Sequence, residues 1–267
     1  MRCCIGLASA GELELGRAPE LTLIGLTGIP EIQAGDDLAA LIVEAATRLD
    51  LTFQPNDILV VTQKVISKIE GRVVLLRDVT PSPASLSWAA YLNKDPRLIE
   101  LILGEARRIV RMDHGLLIAE TRHGFICANA GVDRSNLPGE ESASLLPLDP
   151  DRSADVIRHR ILALCEADVA IVISDTFGRP WRDGLTNVAI GVSGLIPLLD
   201  YRETTDDFGR PLKATRTAIA DELAGAAELV MGKTERIPVV LIRGYRYVSG
   251  EGRASMLLRP SERDLFR

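Results

Sequence analysis

Three short apolar runs constrain this chain more than any other feature: Ile58-Leu59-Val60-Val61, Val169-Ala170-Ile171-Val172-Ile173 and Val239-Val240-Leu241-Ile242. Each is an apolar run short enough to be a buried strand. Such strands call for helices that cover their sheet. Amphipathic patterns lie before and between the runs. One is Leu38, Leu41, Ile42, Ala45, Ala46 and Leu49 behind Asp36 as a cap. Another is Val156, Ile157, Ile161 and Leu164 behind Ser153 or Asp151. A third is Ile219, Leu223, Ala226 and Val230 within a helix over residues 214–231.

The remaining segments add variety. Residues 21–26 and 72–76 read as strands, and Thr80-Pro81-Ser82-Pro83 is a breaker that opens a helical excursion. Asp95-Pro96 starts a helix expected to run through Leu98, Leu101, Ile102, Ala106 and Ile109. Residues 116–121 and 125–130 flank Arg122-His123-Gly124 as an antiparallel hairpin, which argues against a purely parallel sheet. The expected fold is α/β in the mixed, α+β sense: a mixed sheet with antiparallel hairpins and covering helices. Residues 1–20 form an N-terminal arm and residues 21–267 the functional domain, with room for two intertwined subdomains.

Composition narrows the function. With 31 Lys+Arg against 37 Asp+Glu the formal net charge is −6, without the basic footprint of a general nucleic-acid binder. Five Phe, four Tyr and two Trp are too few for single-strand stacking platforms. Cys3, Cys4, Cys127 and Cys165 have neither disulfide-framework nor zinc spacing, so a reducing cytoplasm is the expected home. The apolar stretch after Arg2 is shorter than the roughly 7–15 residues of a signal peptide, and no run approaches the roughly 18 of a membrane-spanning helix. His114, His123 and His159 share no ligand or triad spacing and read as structural or solvent-facing, and Cys127 reads as a small core residue.

Two clusters follow strong strands. In Ser174-Asp175-Thr176-Phe177-Gly178-Arg179-Pro180-Trp181-Arg182-Asp183-Gly184 an Asp and a Thr at a strand tip offer hard oxygens to Mg²⁺ or Mn²⁺, while Arg179 and Arg182 can fork onto phosphate oxygens. A capped turn with surface arginines accounts for the same residues. Asn129-Ala130-Gly131-Val132-Asp133-Arg134-Ser135-Asn136 offers Asp133 as a second carboxylate, or simply an Asx-turn. Gln63, Lys64 and Lys68, just past a strand, suit a triphosphate or a solvated basic turn. Gly232-Lys233-Thr234 resembles the end of a Walker A loop. However, Ala227 stands where the first glycine belongs, and the segment follows a helix and precedes a strand, the reverse of a P-loop. It is either a phosphate-contacting loop or a helix C-cap with Lys233 in solvent.

Taken together, Thr27-Gly28-Ile29-Pro30, the run from Thr62 to Arg72, Asn129 to Asn136, Ser174 to Gly184 and Leu229 to Lys233 resemble, in order, the coenzyme F420-0:L-glutamate ligases, the γ-glutamyl ligases of F420 biosynthesis. The resemblance implies a GTP-dependent, GDP-forming enzyme that adds L-glutamate to F420-0 through γ-linked amides by way of an acyl phosphate. It also implies Mg²⁺ or Mn²⁺, with K⁺ as a further ion, and an intertwined homodimer. The metal ligands it implies are Asp133, Asp175 and Thr176. The nucleotide contacts are Thr27, Gly28, Ile29, Pro30, Gln63, Lys64, Lys68, Asn136 and the loop of Met231, Gly232, Lys233, Thr234, Glu235, Arg236, Ile237 and Pro238. Asp133, Asp175, Lys68, Arg179 and Arg182 would act on the transferring phosphoryl group. Archaeal members look to have an acidic ligand for a second metal where this chain has Lys233. Two other classes fit the charged residues alone: a metal-dependent nucleotide phosphohydrolase, and a nucleotide-binding regulatory protein without turnover.

Overall fold

The computed structural model describes residues 18–265 except 114, 138, 140 and 203. Cys3, Cys4, most of the N-terminal arm and His114 therefore lie outside the described residues. In chain order come β1 (Thr22–Gly25), α1 (Leu38–Arg48), β2 (Ile58–Thr62), α2 (Gln63–Ile69), β3 (Val73–Leu75), α3 (Pro83–Leu92), α4 (Pro96–Glu105), β4 (Ala106–Asp113), β5 (Leu116–Thr121), β6 (Ile126–Ala128) and β7 (Ser142–Ser144). Then follow α5 (Pro150–Cys165), the long strands β8 (Ala170–Arg179) and β9 (Arg182–Ser193), the short pair β10 (Leu199–Asp200) and β11 (Arg216–Thr217), α6 (Ile219–Met231) and β12 (Val239–Arg243).

The three apolar runs are neighbours in one five-stranded mixed sheet of order β1-β12-β2-β8-β9, in which β2 and β8 are parallel and the other pairs antiparallel. Their alternation is what the two covering layers require. Leu59, Val61, Ile171, Ile173, Val239 and Leu241 pack against α1 and α5, while Ile58, Val60, Val172, Val240 and Ile242 pack against α6. Each such buried side chain contributes about 1.5–3 kcal/mol relative to exposure. A third apolar cluster joins Leu76, α3, α4 and β5 beside a three-stranded sheet of order β4-β5-β6. Among the described residues no helix is long and apolar enough to cross a membrane.

Several boundaries differ from the sequence expectation, each for a local reason. The helix after Asp95 stops at Glu105 instead of reaching Ile109, because residues 106–113 pair with β5 and that ladder prevails over a helical pattern already weakened by Gly104. Asp37, not Asp36, caps α1: its Oδ1 accepts Ala40 N–H at 3.1 Å, while Asp36 accepts Gln33 N–H in the preceding turn. Asp149, not Asp151 or Ser153, caps α5 through Arg152 N–H at 3.0 Å, with Pro150 in the first turn. Asp151 instead accepts the N–H groups of Val192 and Ala254. α6 begins at Ile219, since residues 216–217 pair with β10. Finally, β8 does not end at Thr176 but continues to Arg179, because β9 gives it a hairpin partner beyond the sheet.

Candidate active site

The antiparallel order of β1, β12 and β2 puts the end of β1, the start of β12 and the end of β2 at one edge of the sheet. Leu26 N–H donates to Val239 O and Thr62 N–H to Pro238 O, both at 2.9 Å, and Thr62 stands opposite Ser174 on β8. The segments 27–30, 63–68, 175–176 and 231–238, far apart in sequence, therefore converge. Gly28 turns the chain at φ +77°, a conformation that a side chain disfavours, and its carbonyl accepts Arg48 at 2.8 Å. Asp133 arrives from the other side, its backbone bridged to Ser144 at 3.1 and 2.7 Å.

Strand alternation divides the site into two faces of β8. Asp175 lies on the face shared with Ile173 and Phe177, toward α2, and Thr176 on the face toward α6. On the first face Lys64 forms an ion pair with Asp133 and donates to Ser135 O at 2.8 Å. Asp133 also makes an Asx-turn, accepting Ser135 N–H at 2.9 Å, so the turn and the charged role coexist. Lys64 and Lys68 are not a solvated turn: they lie on α2 with side chains 16% and 13% exposed, and Lys68 pairs with Glu31 at 2.5 Å. Gln63 faces inward, donating to Ser67 Oγ and Leu145 O.

The two carboxylates are poised differently. Burial pushes the Asp133 carboxyl up, but hydrogen bonds from Lys64 and Ser135 outweigh it and hold the group below its ordinary value. For Asp175 burial prevails and, with a contribution from the Asp133 charge, pushes it up to about 6 against the Thr176 N–H and the nearby charges of Lys64 and Lys233. Among the described residues no cationic side chain is paired directly with Asp175.

On the second face Thr176 Oγ1 donates to Asn187 Oδ1 at 2.7 Å and accepts from Lys233 Nζ at 2.8 Å. Asn187 Nδ2 donates to Glu228 Oε2 at 2.9 Å, and Glu228 Oε1 pairs with Lys233 at 2.6 Å. Gly232 does cap α6, with φ +56° and its N–H on Glu228 O at 3.0 Å, yet Lys233 folds back onto the site. Sequence reasoning missed Asn187 and Glu228. Only the β8–β9 register, which sets Asn187 opposite Thr176, and the packing of α6 reveal them.

Two of the expected residues, Arg179 and Arg182, lie apart from Asp175. Arg179 and Arg182 are paired with each other near the exposed hairpin tip, ~13 Å along the strand from Asp175 at 3.3 Å per residue. Arg179 donates to Asp183 O, Thr234 to Glu235, and Asn136 and Arg236 are left-handed loop residues. Ile237 faces the α6 core.

Chemically, this edge of the sheet offers the carboxylates of Asp133 and Asp175, those of Glu31 and Glu228 paired to lysines, the hydroxyls of Ser135 and Thr176, and the ammoniums of Lys64, Lys68 and Lys233, groups suited to cations and phosphate oxygens. Among the described residues no nucleophile–His–acid triad is assembled. Cys127 is buried with its thiol pushed up to about 12 by burial and the Asp175 charge, and the His123 and His159 rings meet the carbonyls of Leu148 and Asp155.

Residues 27–244 match the family model described as F420-0:Gamma-glutamyl ligase. The chain belongs to that family. It is 45% identical over 250 residues to the coenzyme F420:L-glutamate ligase of Methanothermobacter thermautotrophicus, covering 92% of this chain and 99% of that one. A relative of the same name from Methanocaldococcus jannaschii is 45% identical over 215 residues, covering 80% and 86% respectively. One from Methanopyrus kandleri is 42% identical over 258, covering 95% and 100%. Every expected site residue of this γ-glutamyl ligase family member, from Thr27 to Pro238, falls inside the matched segment.

Proposed function

We propose that this protein is a GTP-dependent ligase that adds L-glutamate to the terminal carboxylate of coenzyme F420-0 through γ-glutamyl amide bonds. The observation that carries the reading is the convergence of Lys64, Asp133, Asp175, Thr176 and Lys233 at one sheet edge in a member of this family. A carboxylate does not condense with an amine until its oxygen becomes a leaving group. In this reading the γ-phosphoryl of GTP passes to the F420-0 carboxylate, GDP leaves, and the glutamate nitrogen attacks the acyl carbon. The amine then loses a proton, and the C–O bond to inorganic phosphate breaks. Such transfers depend chiefly on positioning and charge compensation, which Lys64, Lys68 and Lys233 would supply in this reading.

The donor set fits a divalent cation. Asp133 and Asp175 are hard-oxygen groups, and Asp175 is a carboxylate in a desolvating setting without a paired cation. Asp133 and Asp175 would hold Mg²⁺ or Mn²⁺, with the Thr176 hydroxyl available across β8, and the ion would screen the phosphate oxygens. Lys233 supplies a positive charge on the α6 face, and K⁺ remains part of the reading as a further ion. We extend the reading to a homodimer that covers Trp181 and Leu185, 77% and 68% exposed on the projecting β8–β9 ribbon, and so draws Arg179 and Arg182 toward a neighbouring site.

Mass spectrometry of F420-0 incubated with the protein, GTP, Mn²⁺ and L-glutamate tests this. The expected result is a ladder of glutamate-sized increments, lost in Asp175→Ala. GDP formed without increments would identify a phosphohydrolase instead, and nucleotide binding without turnover a regulatory module.

A further inference from the structure

Beyond β1 the backbone loses its ladder. Leu26 N–H still donates to Val239 O, but the next three N–H groups, on Thr27, Gly28 and Ile29, meet no acceptor among the described residues, and Pro30 has none to give. A side chain of another element fixes this turn instead. Arg48, the last residue of α1, donates Nη1 to Glu44 Oε1 at 2.5 Å, one helical turn back, and Nη2 to Gly28 O at 2.8 Å. On the other flank Glu31 pairs with Lys68. A peptide unit is planar and trans, so its C=O and N–H point in opposite directions. With the Gly28 oxygen held by Arg48, the Ile29 N–H is turned away from the guanidinium. Gly28 stands at φ +77° without a Cβ, so its own side chain offers no resistance to rotation of that unit. Released from Arg48, the unit is free to turn over and would present a carbonyl oxygen where it now presents an N–H, which reverses its sign toward an anion.

We propose that Arg48, anchored by Glu44, is a positioning residue that fixes the Gly28–Ile29 peptide with its N–H directed to a phosphate oxygen of the nucleotide. This rests on the nucleotide-dependent reading above. Arg48 acts through the peptide unit, its guanidinium being engaged by the Glu44 carboxylate and the Gly28 carbonyl.

Titration calorimetry of GDP at constant Mg²⁺ tests this. Arg48→Met should weaken GDP about tenfold, near the lower end of what a hydrogen bond to a charged group contributes. In turnover the loss should appear in KM for GTP, with kcat and the KM for L-glutamate within about twofold of wild type, the pattern of lost ground-state binding. Thermal midpoints should stay within a few degrees. Arg48→Lys, which keeps a cationic donor, should recover part of the affinity. Gly28→Ala, strained at positive φ, should weaken GDP comparably, and the double variant with Arg48→Met should lose no more than the weaker-binding single variant, because both act on one peptide unit. Glu44→Gln separates two ways in which Arg48 can act. A positioning Arg48 loses its anchor and GDP binds more weakly, whereas an Arg48 in direct contact with phosphate binds it more tightly once the competing carboxylate is gone. Should Arg48→Met not fold, Gly28→Ala and Glu44→Gln carry the test. Unchanged GDP affinity in Arg48→Met or in Gly28→Ala, additive losses in the double variant, or unchanged or tighter binding in Glu44→Gln overturns the proposal and leaves the nucleotide-dependent reading standing. Absence of GDP and GTP binding by the wild type overturns both.

Discussion

Lys64 and Asp133, 69 positions apart in the chain, form an ion pair in which the same ammonium also donates to Ser135 O at 2.8 Å. The pair sits where β2 passes into α2, so it joins the central sheet to the segment carrying Asp133. A lysine already held by a carboxylate loses little side-chain freedom when a phosphate arrives. Replacing it removes both a charge and one of the hydrogen bonds that hold the Asp133 carboxyl below its ordinary value. Lys64→Met is expected to lower glutamate addition by about 10²-fold or more, the scale of losing one preorganised donor at a charged transition state. Steady-state rates with F420-0 and GTP check this, with circular dichroism to confirm the fold, and a variant as active as wild type refutes it.

Asp151 provides a pH signature away from the site. Burial pushes its carboxyl above the ordinary 3.8, against the N–H groups of Val192 and Ala254 that it accepts. A group raised on folding favours the native state below its unfolded value, and that contribution is lost as pH rises through the folded value. Asp151→Asn keeps an acceptor oxygen and removes the charge. It should be at least as thermostable as wild type at pH 7, with the difference shrinking toward pH 4. A variant that loses stability at pH 7 and regains it in acid would contradict this.

Cys127 should be chemically silent in the native protein. Its thiol is buried and pushed up to about 12, so little thiolate exists at pH 8. Peptide mapping after maleimide treatment should find Cys127 unmodified in the folded chain and modified in urea, and fast native labelling would show that the core around it opens.

The α5 cap is testable directly. Asp149→Ala removes the acceptor for Arg152 N–H and should cost about 1 kcal/mol, or roughly 2–4 °C in a chain of this size. Calorimetry giving no shift would mean that another group satisfies the first turn.

The apolar runs at residues 58–61, 169–173 and 239–242 determined the layered fold by themselves. A short run of apolar residues needs cover from water, which the amphipathic helices around it supply, and that demand is local to the sequence. The acidic and basic segments around Asp133, Asp175 and Lys64 were legible too, because strand ends, turn residues and charges are all local signals. The tertiary structure alone decided which of them meet. Strand order brought the segments 27–30 and 231–238 beside Thr62, and the β8–β9 register gave Thr176 its partner Asn187. The packing of α6 delivered Glu228 to Lys233. The same hairpin carried Arg179 and Arg182 away from Asp175, although only a few positions separate them. Side chains alternate across a strand every residue, and partners across a ladder are set by register. Nearness along the chain therefore says little about which face, or which neighbour, a residue of the site receives.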